Sequence, residues 1–431
     1  MAPTLRIPDT AETPRSTRTL GTMSHSELHK TYDHVIVGGG VAADKAARAI
    51  HDRTPGASVL IVTRDPEGPV SRPDLSKGLW LDEATTVDSV DLGTAADTGA
   101  QLVTGTTVTA VDPAAHTVTT DGGDTVTYGT LLLATGAAAR TLPGVTDDRV
   151  LTLRSLSDYR ALRDRVADGT RVAVVGGGYI SSEIAVALNA VGAAVHVYTP
   201  DDRLLGHMFP TSVTDHLERV YADRGVTVHH GFLLTATGTS DDGRDELYLA
   251  PDDGDAVVAD LAVIGFGAAP ETGLAEAAGL TLEDGAVAVD ASLRTSDPDI
   301  FAAGDIIEFT DPLLGRRHVE HVDNAEQSGA VAGENMAGGT ATYDYTPLFF
   351  SDIFDDGYEA VGTLSTDLDI VEDWNTDHSA AVLYYLRDGV VVGVLLWNTW
   401  DSVPAAREVM AASKAGTLSA ADLPGRIPVG D

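Results

Sequence analysis

Two stretches of the chain share one pattern, in which a short apolar run leads into a glycine-rich turn and then into a run with helical spacing. The stretches are YDHVIVGGGVAADKAA from Tyr32 and RVAVVGGGYISSEIAVAL from Arg171. Apolar runs of this length predict buried strands, and the periodic run after each turn predicts a helix. In the first unit we predict a strand over 33–37, a helix over 41–53 and a strand over 58–63.

The remaining pattern predicts that one domain is inserted in another. Residues 107–128 alternate apolar and polar positions around an Asp-Gly turn, which predicts hairpins. A second βαβ unit begins near Leu151. At Glu271 the pattern returns to the first domain, which then includes a helix beginning near Asn324, read as an N-cap box with Gln327.

The last part of the chain differs in composition. From Pro347 onward aromatic residues concentrate, and two apolar runs at 380–386 and 390–397 flank Asp388-Gly389, a strong hairpin signal. We therefore predict an α/β protein with two Rossmann-like dinucleotide-binding domains, one inserted in the other, and a C-terminal α+β domain. Their predicted bounds are 31–148 with 268–346 for the first domain, 149–267 for the inserted domain and 347–425 for the last.

The two glycine turns carry the main chemical prediction. They read G-x-G-x-x-A at Gly38, Gly40 and Ala43, and G-x-G-x-x-S at Gly176, Gly178 and Ser181. The first glycine makes the tight turn, and the second lets backbone N–H groups approach a pyrophosphate at a helix N-terminus. One copy is a weak signal among 44 glycines. Two copies, each between a strand and a helix, predict a protein that binds two dinucleotides.

Composition narrows the class of protein. The chain has no cysteine, which excludes disulfides, thiolate metal ligands and redox-active Cys pairs, and we predict no metal site. A net charge of −37, from 65 acidic and 28 basic residues, disfavours nucleic acids and anionic membranes as partners. Only four of the bases are lysines, which favours the salt-rich cytoplasm of a halophilic prokaryote. An acidic mesophilic protein kept soluble by its charge is the alternative.

The length and the chain start give two further expectations. The 431 residues are enough for two or three domains, and Val390–Trp397, among the longest apolar runs, is far shorter than a membrane helix needs. We therefore predict a cytoplasmic protein without membrane insertion. Residues 1–30 are rich in Thr, Ser, Pro and Arg and are predicted to be a disordered arm. Met23 is an alternative translation start to Met1.

Several further motifs resemble one family. ATG at 134–136, GFGAAPE from Gly265 and DPDIFAAGD ending at Asp305 look like FAD- and NAD(P)H-binding flavoproteins. PVSRPDLSK from Pro69, VEHVDNAEQSG from Val319 and the C-terminal segments resemble oxidoreductases of the apoptosis-inducing-factor and ferredoxin-reductase type. The resemblance implies an FAD domain, an inserted NAD(P) domain and a C-terminal dimerisation-type domain, and hence a homodimer.

The resemblance assigns FAD contacts to residues spread over the chain. The first glycine turn would hold the FAD pyrophosphate, and Asp305 would bind the ribityl chain rather than act as a helix N-cap. The other implied cofactor-contacting residues are Arg72, Thr135, Gly136, Arg154, Glu320, His321 and Phe350. For Arg154 a surface cation, and for Phe350 a core aromatic, are the alternatives.

One position departs from the family. At the end of the second strand, where the family usually has an acid for the adenosine ribose of FAD, the sequence VLIVTRDP has Arg64. Asp65, water or the backbone could take over this contact.

In the second unit, Asp201 follows the strand VHVYT and is the expected partner of the adenosine ribose of NADH. A carboxylate accepts hydrogen bonds from a ribose 2′-hydroxyl and repels a 2′-phosphate. Asp202 is a second candidate. Arg203 keeps NADPH as an alternative cofactor.

Lys77 and Glu183 form the chemical hypothesis. In the family, the lysine of the R-P-x-L-S-K segment pairs with the glutamate of the second helix close to flavin N5, and His321 lies on the nicotinamide side. These three residues are the predicted catalytic residues, acting by positioning and electrostatics. A surface ion pair is the alternative for Lys77 and Glu183.

The expected activity is hydride transfer from NADH to flavin N5, followed by electron transfer to an external acceptor. Family analogy favours a ferredoxin-like iron–sulfur protein, with a quinone or oxygen as the enzymatic alternative. An NADH-sensing, redox-dependent interaction protein with slow turnover is the alternative from another class.

Overall fold

A computed structural model describes residues 28–239 and 246–430 of the chain. Most of the predicted N-terminal arm, residues 1–27, lies outside the described residues. The first segment contains β1 (Thr31–Val37), α1 (Val41–Arg53), β2 (Val59–Val62), α2 (Gly78–Leu81), α3 (Thr94–Thr98), β3 (Gln101–Val103), β4 (Val108–Asp112), β5 (Thr117–Thr120), β6 (Thr125–Leu133) and β7 (Ala137–Ala139). A short 3₁₀ helix, Pro73–Leu75, precedes α2.

The strands β1 to β6 form one sheet in the order β3-β2-β1-β6-β5-β4. The pairs of β1 with β2 and with β6 are parallel, whereas β4, β5 and β6 pair antiparallel, as the alternating pattern of 107–128 predicts. The four residues of β2 are all buried, because parallel strands covered on both faces read as continuous apolar runs.

The second segment repeats the strand–turn–helix arrangement. It contains β8 (Val150–Leu151), α4 (Leu156–Arg163), β9 (Arg171–Val175), α5 (Tyr179–Ala190), β10 (Ala194–Tyr198), α6 (Thr211–Asp223), β11 (Thr227–His229), β12 (Leu234–Thr239), β13 (Leu247–Pro251), β14 (Val257–Ala259), β15 (Leu261–Ile264) and β16 (Ala268–Pro270). Five of these strands form a parallel sheet in the order β11-β10-β9-β15-β8, and β12 to β14 form a separate antiparallel sheet.

The chain then returns to the first sheet. This segment contains α7 (Gly273–Ala277), β17 (Leu282–Glu283), β18 (Ala286–Ala288), β19 (Ile300–Ala302), β20 (Ile307–Asp311), β21 (Gly315–His318) and α8 (Val322–Met336). The strand β19 pairs parallel with the end of β6, and α8 lies against α1. A Cβ atom at Gly333 would lie 2.3 Å from the Ala46 carbonyl oxygen, so glycine permits this close helix contact.

A helix does begin near Asn324, but the predicted N-cap role of Asn324 is wrong. The helix begins at Val322, and His321 occupies the N-cap position with an extended backbone. Asn324 is buried inside the helix, where its amide nitrogen donates to the Val319 carbonyl and its amide oxygen accepts from the Tyr343 hydroxyl. The sequence pattern suggested a cap because Asn is a common N-cap residue, but here tertiary partners satisfy its side chain.

The last segment is an antiparallel sheet with one helix. It contains β22 (Leu348–Ile353), β23 (Asp356–Gly362), β24 (Asp369–Trp374), β25 (Ala381–Arg387), β26 (Val390–Trp397), α9 (Val403–Lys414) and a 3₁₀ turn, Ala420–Asp422. The sheet order is β22-β23-β26-β25-β24. Asp388 and Gly389 have φ values of +51° and +78°, which confirms the predicted tight hairpin.

Aromatic packing joins the C-terminal sheet to the second parallel-sheet unit. The Phe209 ring, just before α6, lies edge-on to Tyr358 with centroids 5.1 Å apart, and Tyr358 stacks on Trp397. A hydrogen bond reinforces this packing, since His216 of α6 lies 2.8 Å from the Asp356 carboxylate. In the described part of the chain, no helix combines the length and apolar character needed to cross a membrane.

Candidate active site

A cleft of about 1230 Å³ connects the two glycine turns. Its lining comes from the carboxyl ends of β1, β2 and β6, from the start of α5, from the segment before α8 and from β22. In open parallel sheets, ligands bind outside the carboxyl ends of the strands, where the loops diverge. The cleft therefore lies where the sequence motifs predict a dinucleotide.

The first glycine turn has the geometry of a pyrophosphate cradle. Gly38 has φ +121°, and a Cβ atom there would lie 2.0 Å from the Ala134 carbonyl oxygen. Gly40 is the N-cap of α1, and no side chain caps this helix. Ala43, the third residue of the motif, is fully buried. The start of α1 thus presents backbone N–H groups to the cleft, where the helix dipole favours an anion.

Two arginines line the cleft beside this turn. Arg72 donates to the Arg154 carbonyl oxygen at 2.6 Å and lies 3.4 Å from an Asp65 oxygen. Burial, together with the nearby Arg154 guanidinium, lowers the pKa of Arg72. An anionic ligand would stabilise two neighbouring cations that repel each other in this cleft.

Arg154 is held by the acid that follows β19. Its guanidinium lies 2.5 Å from the Asp305 carboxylate and also donates to the Ala137 carbonyl oxygen. Arg154 is therefore part of the cleft rather than a free surface cation, and Asp305 does not cap a helix. Thr135 donates its hydroxyl to the Glu271 carbonyl, and a Cβ atom at Gly136 would lie 3.5 Å from Arg154, so this turn also borders the cleft.

The segment before α8 brings His321 and Glu320 to the cleft. The His321 ring stacks on Phe349 with centroids 4.5 Å apart, and burial lowers its pKa to about 4, so the imidazole is neutral at pH 7. Hydrogen bonding from His318 lowers the pKa of Glu320. Burial disfavours the charged form of His318, but its bonds to Glu320 and to the Ile307 carbonyl outweigh burial and raise its pKa.

The predicted pair of Lys77 and Glu183 is a buried ion pair. Lys77 Nζ lies 2.5 Å from Glu183 Oε1, with 15% and 7% of the side chains exposed. Ser76 Oγ donates to the other carboxylate oxygen, and Ser351 Oγ donates to Oε1 at 2.7 Å. The surface-pair alternative is therefore wrong. Glu183 joins three segments of the chain: the turn before α2, helix α5 and strand β22.

Phe350 is 39% exposed at the cleft, which excludes the core-aromatic alternative. Its ring centroid lies 5.4 Å from Lys77 Nζ. Along β22, the side chains of Phe349 and Ser351 are buried and those of Phe350 and Asp352 are exposed. This alternation delivers Ser351 to Glu183 and Phe350 to the cleft.

The second glycine turn repeats the geometry of the first. Gly176 has φ +132°, and a Cβ atom there would lie 2.3 Å from the Gly265 carbonyl oxygen. Gly178 is the N-cap of α5, which has no side-chain cap. A Cβ atom at Gly265 would lie 2.1 Å from the buried Ser181 hydroxyl. Ser181 therefore lies where helix α5 packs closely against the end of β15.

Asp201 lies beside this turn, since its carboxylate would be 3.1 Å from a Cβ atom at Gly177. It is 43% exposed, and His207 Nδ1 lies 3.8 Å away. Arg203 donates to the Asp215 carboxylate at 2.9 Å and to the Asp202 carbonyl. The guanidinium that could have favoured a 2′-phosphate is therefore already paired.

Sequence reasoning assigned no role to several residues in or beside the cleft. Tyr179 begins α5 and lies edge-on to both Phe349 and His321, with centroids 5.3 and 6.3 Å away. Its place directly after the second glycine turn was a readable signal. The contacts of Ser351 and Glu271 had no local signal, because their partners are 168 and 207 positions away in the sequence.

These residues fit FAD. An uncapped helix N-terminus, a glycine that no other residue could replace and two arginines provide for a diphosphate, and a neutral histidine with aromatic neighbours provides for a planar ring system. Within residues 28–239 and 246–430, no group of three or more side chains is arranged to ligate a metal.

Comparison with known proteins agrees with this geometry. The chain matches the pyridine nucleotide-disulphide oxidoreductase family over residues 32–329, and the C-terminal region of mitochondrion-associated apoptosis-inducing factor over 370–412. The chain belongs to the pyridine nucleotide-disulphide oxidoreductase family. It is an NAD(P)H-dependent flavoprotein oxidoreductase that uses FAD, which confirms the predicted class, fold and cofactors. Since the chain lacks cysteine, it has no redox-active disulfide.

Two relatives and one solved structure illustrate the similarity. The ferredoxin–NAD(+) reductase component of the anthranilate 1,2-dioxygenase system of Burkholderia cepacia is 35% identical over 88% of this chain and 94% of that protein. A putative apoptosis-inducing factor 1 of Drosophila melanogaster is 27% identical over 91% of this chain and 64% of that protein. In the covalent putidaredoxin reductase–putidaredoxin complex, the matched chain has 26% identity and a TM-score of 0.80, over 89% of this chain and 93% of that one.

Proposed function

We propose that this oxidoreductase accepts a hydride from NADH and passes the electrons to a ferredoxin-like iron–sulfur protein. The buried pair of Lys77 and Glu183 is the observation that carries the proposal, because it lies in a cleft that reaches both glycine turns. FAD supplies the hydride acceptor at its N5 atom. The protein supplies orientation and charge, and no side chain needs to act as a nucleophile.

The proposed domain assignment follows the two glycine turns. Residues 31–148 and 268–346 would bind FAD, residues 149–267 would bind the nicotinamide dinucleotide, and residues 347–425 would complete the flavin side of the cleft through β22. In the FAD domain, the proposed contacts are Gly38, Gly40, Ala43, Arg72, Thr135, Gly136, Arg154, Asp305, Glu320, His321 and Phe350. In the nicotinamide domain they are Gly176, Gly178, Ser181 and Asp201, with Lys77 and Glu183 between the two cofactors.

The proposed role of Lys77 is electrostatic. Its ammonium is fixed by Glu183, whose carboxylate is itself held by Ser76 and Ser351. A cation held by an acid that two other hydrogen bonds keep in place needs little reorganisation when charge develops nearby, which is how preorganised groups lower a barrier. The neutral His321 ring has one hydrogen-bond donor and one acceptor, so it can bind a ligand in the cleft without adding a charge.

The preference for NADH is supported by the surroundings of Asp201. Its carboxylate is partly exposed beside the second turn, and Arg203 is paired with Asp215. A 2′-phosphate would therefore meet an acid rather than a free cation. The titration below compares both nucleotides.

A ferredoxin-like acceptor is supported by a relative whose name states such a partner, the ferredoxin–NAD(+) reductase component of the anthranilate 1,2-dioxygenase system. The net charge of −37 would repel an acidic ferredoxin at low salt. We therefore propose that the protein works in the salt-rich cytoplasm of a halophilic prokaryote, where ions screen both partners.

The test is an anaerobic titration of the purified protein in high salt with NADH and then NADPH, followed by flavin absorbance. Fast bleaching by NADH, followed by fast re-oxidation with ferredoxin, is the expected result. Re-oxidation only by a quinone or by oxygen would contradict the proposed acceptor. Slow bleaching with a lasting charge-transfer band and a change in dimer population would instead establish an NADH-sensing interaction protein.

A further inference from the structure

Arg64 and Glu271 form a two-point ion pair at the edge of the cleft. Arg64 Nη1 lies 2.7 Å from Glu271 Oε1, and Nη2 lies 2.7 Å from Oε2. Both residues line the cleft. Arg64 comes two positions after the end of β2. The residue before it, Thr63, lies beside the first glycine turn, since a Cβ atom at Gly39 would contact its side chain.

The Glu271 backbone is anchored at the same edge. Its N–H donates to the Gly136 carbonyl at 2.9 Å, and its carbonyl oxygen accepts from the Thr135 hydroxyl at 2.8 Å. The preceding strand β16 also pairs with β7. A carboxylate from the returning segment is thereby delivered to the end of β2, although it lies 207 positions from Arg64.

The chemistry of the two side chains assigns them different tasks. A ribose hydroxyl can donate its proton to a carboxylate, whereas a guanidinium has only donors. Arg64 therefore cannot accept the hydroxyl protons that an acid at the end of β2 would accept. The Glu271 carboxylate has about four acceptor sites, of which the two-point pair with Arg64 uses two. Among the described residues no other group binds this carboxylate, so its remaining sites can accept from a vicinal pair of hydroxyls.

The neighbouring acid is less suited to this contact. The Asp65 carboxylate faces Arg72 at 3.4 Å, and the backbone N–H of Asp65 is bound to the Thr63 hydroxyl. Arg72 in turn faces Arg154 and the proposed diphosphate region. Asp65 therefore pairs with Arg72 on the side of the proposed diphosphate region.

We propose that Glu271, held by Arg64, accepts hydrogen bonds from the adenosine ribose hydroxyls of FAD. The pair would then supply from a distant segment the acid that the end of β2 lacks. This inference rests on the FAD site of the proposed function and adds the residue that recognises the adenosine half.

The experiment measures FAD affinity rather than turnover. Apoprotein is titrated with FAD, and with the FAD analogue whose adenosine carries 2′,3′-dideoxyribose, following flavin fluorescence. The wild-type protein should bind the analogue about 10-fold or more weakly, which is the expected loss for hydrogen bonds to a charged acceptor. In Glu271→Gln, FAD affinity should fall by a similar factor, and the two ligands should bind almost equally.

Two further variants separate recognition from structural support. Asp260→Asn breaks the ion pair of Arg171 and Asp260, which is similarly exposed but lies outside the cleft lining, and should leave the preference for FAD unchanged. The swap Arg64→Glu with Glu271→Arg rebuilds the pair and puts the acid at the end of β2. This swap should restore the preference that Glu271→Gln loses.

The outcomes distinguish this inference from the proposed function. If folded Glu271→Gln keeps the wild-type preference for FAD over the analogue, the inference is wrong and the FAD site stands. The same conclusion follows if the wild-type protein binds both ligands equally. If the wild-type apoprotein binds neither ligand, the FAD site itself is wrong. Circular dichroism of each variant reports whether it is folded, and the swap remains informative where Glu271→Gln does not fold.

Discussion

Lys77 Nζ lies 2.5 Å from the Glu183 carboxylate, which accepts two further hydrogen bonds, from Ser76 and Ser351. The contact between Arg154 and Asp305 in the same cleft is equally short. Ser76 binds the other carboxylate oxygen of Glu183, and Ser351 shares Oε1 with Lys77. A buried charge pair is tolerable only when its remaining hydrogen-bonding sites are satisfied. The two serines therefore help to hold the carboxylate, and with it Lys77, beside the proposed flavin position.

The first prediction concerns this pair. Glu183→Gln keeps the shape of the side chain and removes its charge, which frees Lys77. We expect NADH-dependent flavin bleaching to slow by roughly 10-fold or more, because the cation loses its fixed position. Stopped-flow absorbance measures the rate. Lys414→Met is the control, since Lys414 binds the Pro312 and Leu313 carbonyls instead, and an equal slowing there would contradict the prediction.

The second prediction concerns the first glycine turn. Gly38→Ala forces a Cβ atom to within 2.0 Å of a backbone oxygen at φ +121°. We expect loss of bound FAD and destabilisation by roughly 2 kcal/mol or more, because this backbone conformation is almost restricted to glycine. Gly56→Ala is the matched control, with no atom within 4 Å of the new Cβ. Flavin content and thermal unfolding of the two variants should differ sharply.

The third prediction concerns nucleotide preference. Asp201→Ser removes the acid beside the second turn, and the ratio of kcat/KM for NADH over NADPH should fall roughly 10-fold. Asp202→Ser, one position further, is the control and should change this ratio little. A larger effect at Asp202 would transfer the role to that residue.

The fourth prediction concerns pH. The folded pKa of His321 is about 4 and the unfolded value about 6.5, so the unfolded chain binds more protons between these values. Stability therefore rises with pH through this window, is complete above about pH 6.5 and is lost as the pH falls. His321→Asn should remove roughly 2 kcal/mol of this dependence. Chemical unfolding at pH 5 and pH 7.5 measures it, with the exposed His378→Asn as the control. Equal pH dependence in both variants would refute the assignment.

The fifth prediction concerns salt. A net charge of −37 opposes the compact state unless ions screen it. We expect the circular dichroism signal of the folded protein to decline on dialysis from molar salt into low salt. Sucrose at matched osmolality should not replace the salt. An unchanged signal in low salt would favour the acidic mesophilic alternative.

Much of the fold was readable from local pattern. The helix predicted over 41–53 is α1, and the strands predicted over 380–386 and 390–397 agree with β25 and β26 to within a residue. The N-cap residue of α8 was not readable, because Asn324 has the chemistry of a cap but binds tertiary partners instead. The family and its cofactors were predicted from the glycine turns, whereas the individual site roles stay predictions.

The sequence by itself determined the two strand–turn–helix units, the absence of thiol chemistry and the C-terminal hairpin. These depend on periodicity, composition and turn residues, which act between near neighbours in the chain. Only the tertiary structure decided that Ser351 binds Glu183, that Arg203 is paired with Asp215 and that Glu271 reaches Arg64. The physical reason is that β-strand alternation and the return of the chain to the first sheet decide which distant side chains share a space. No local pattern encodes that choice.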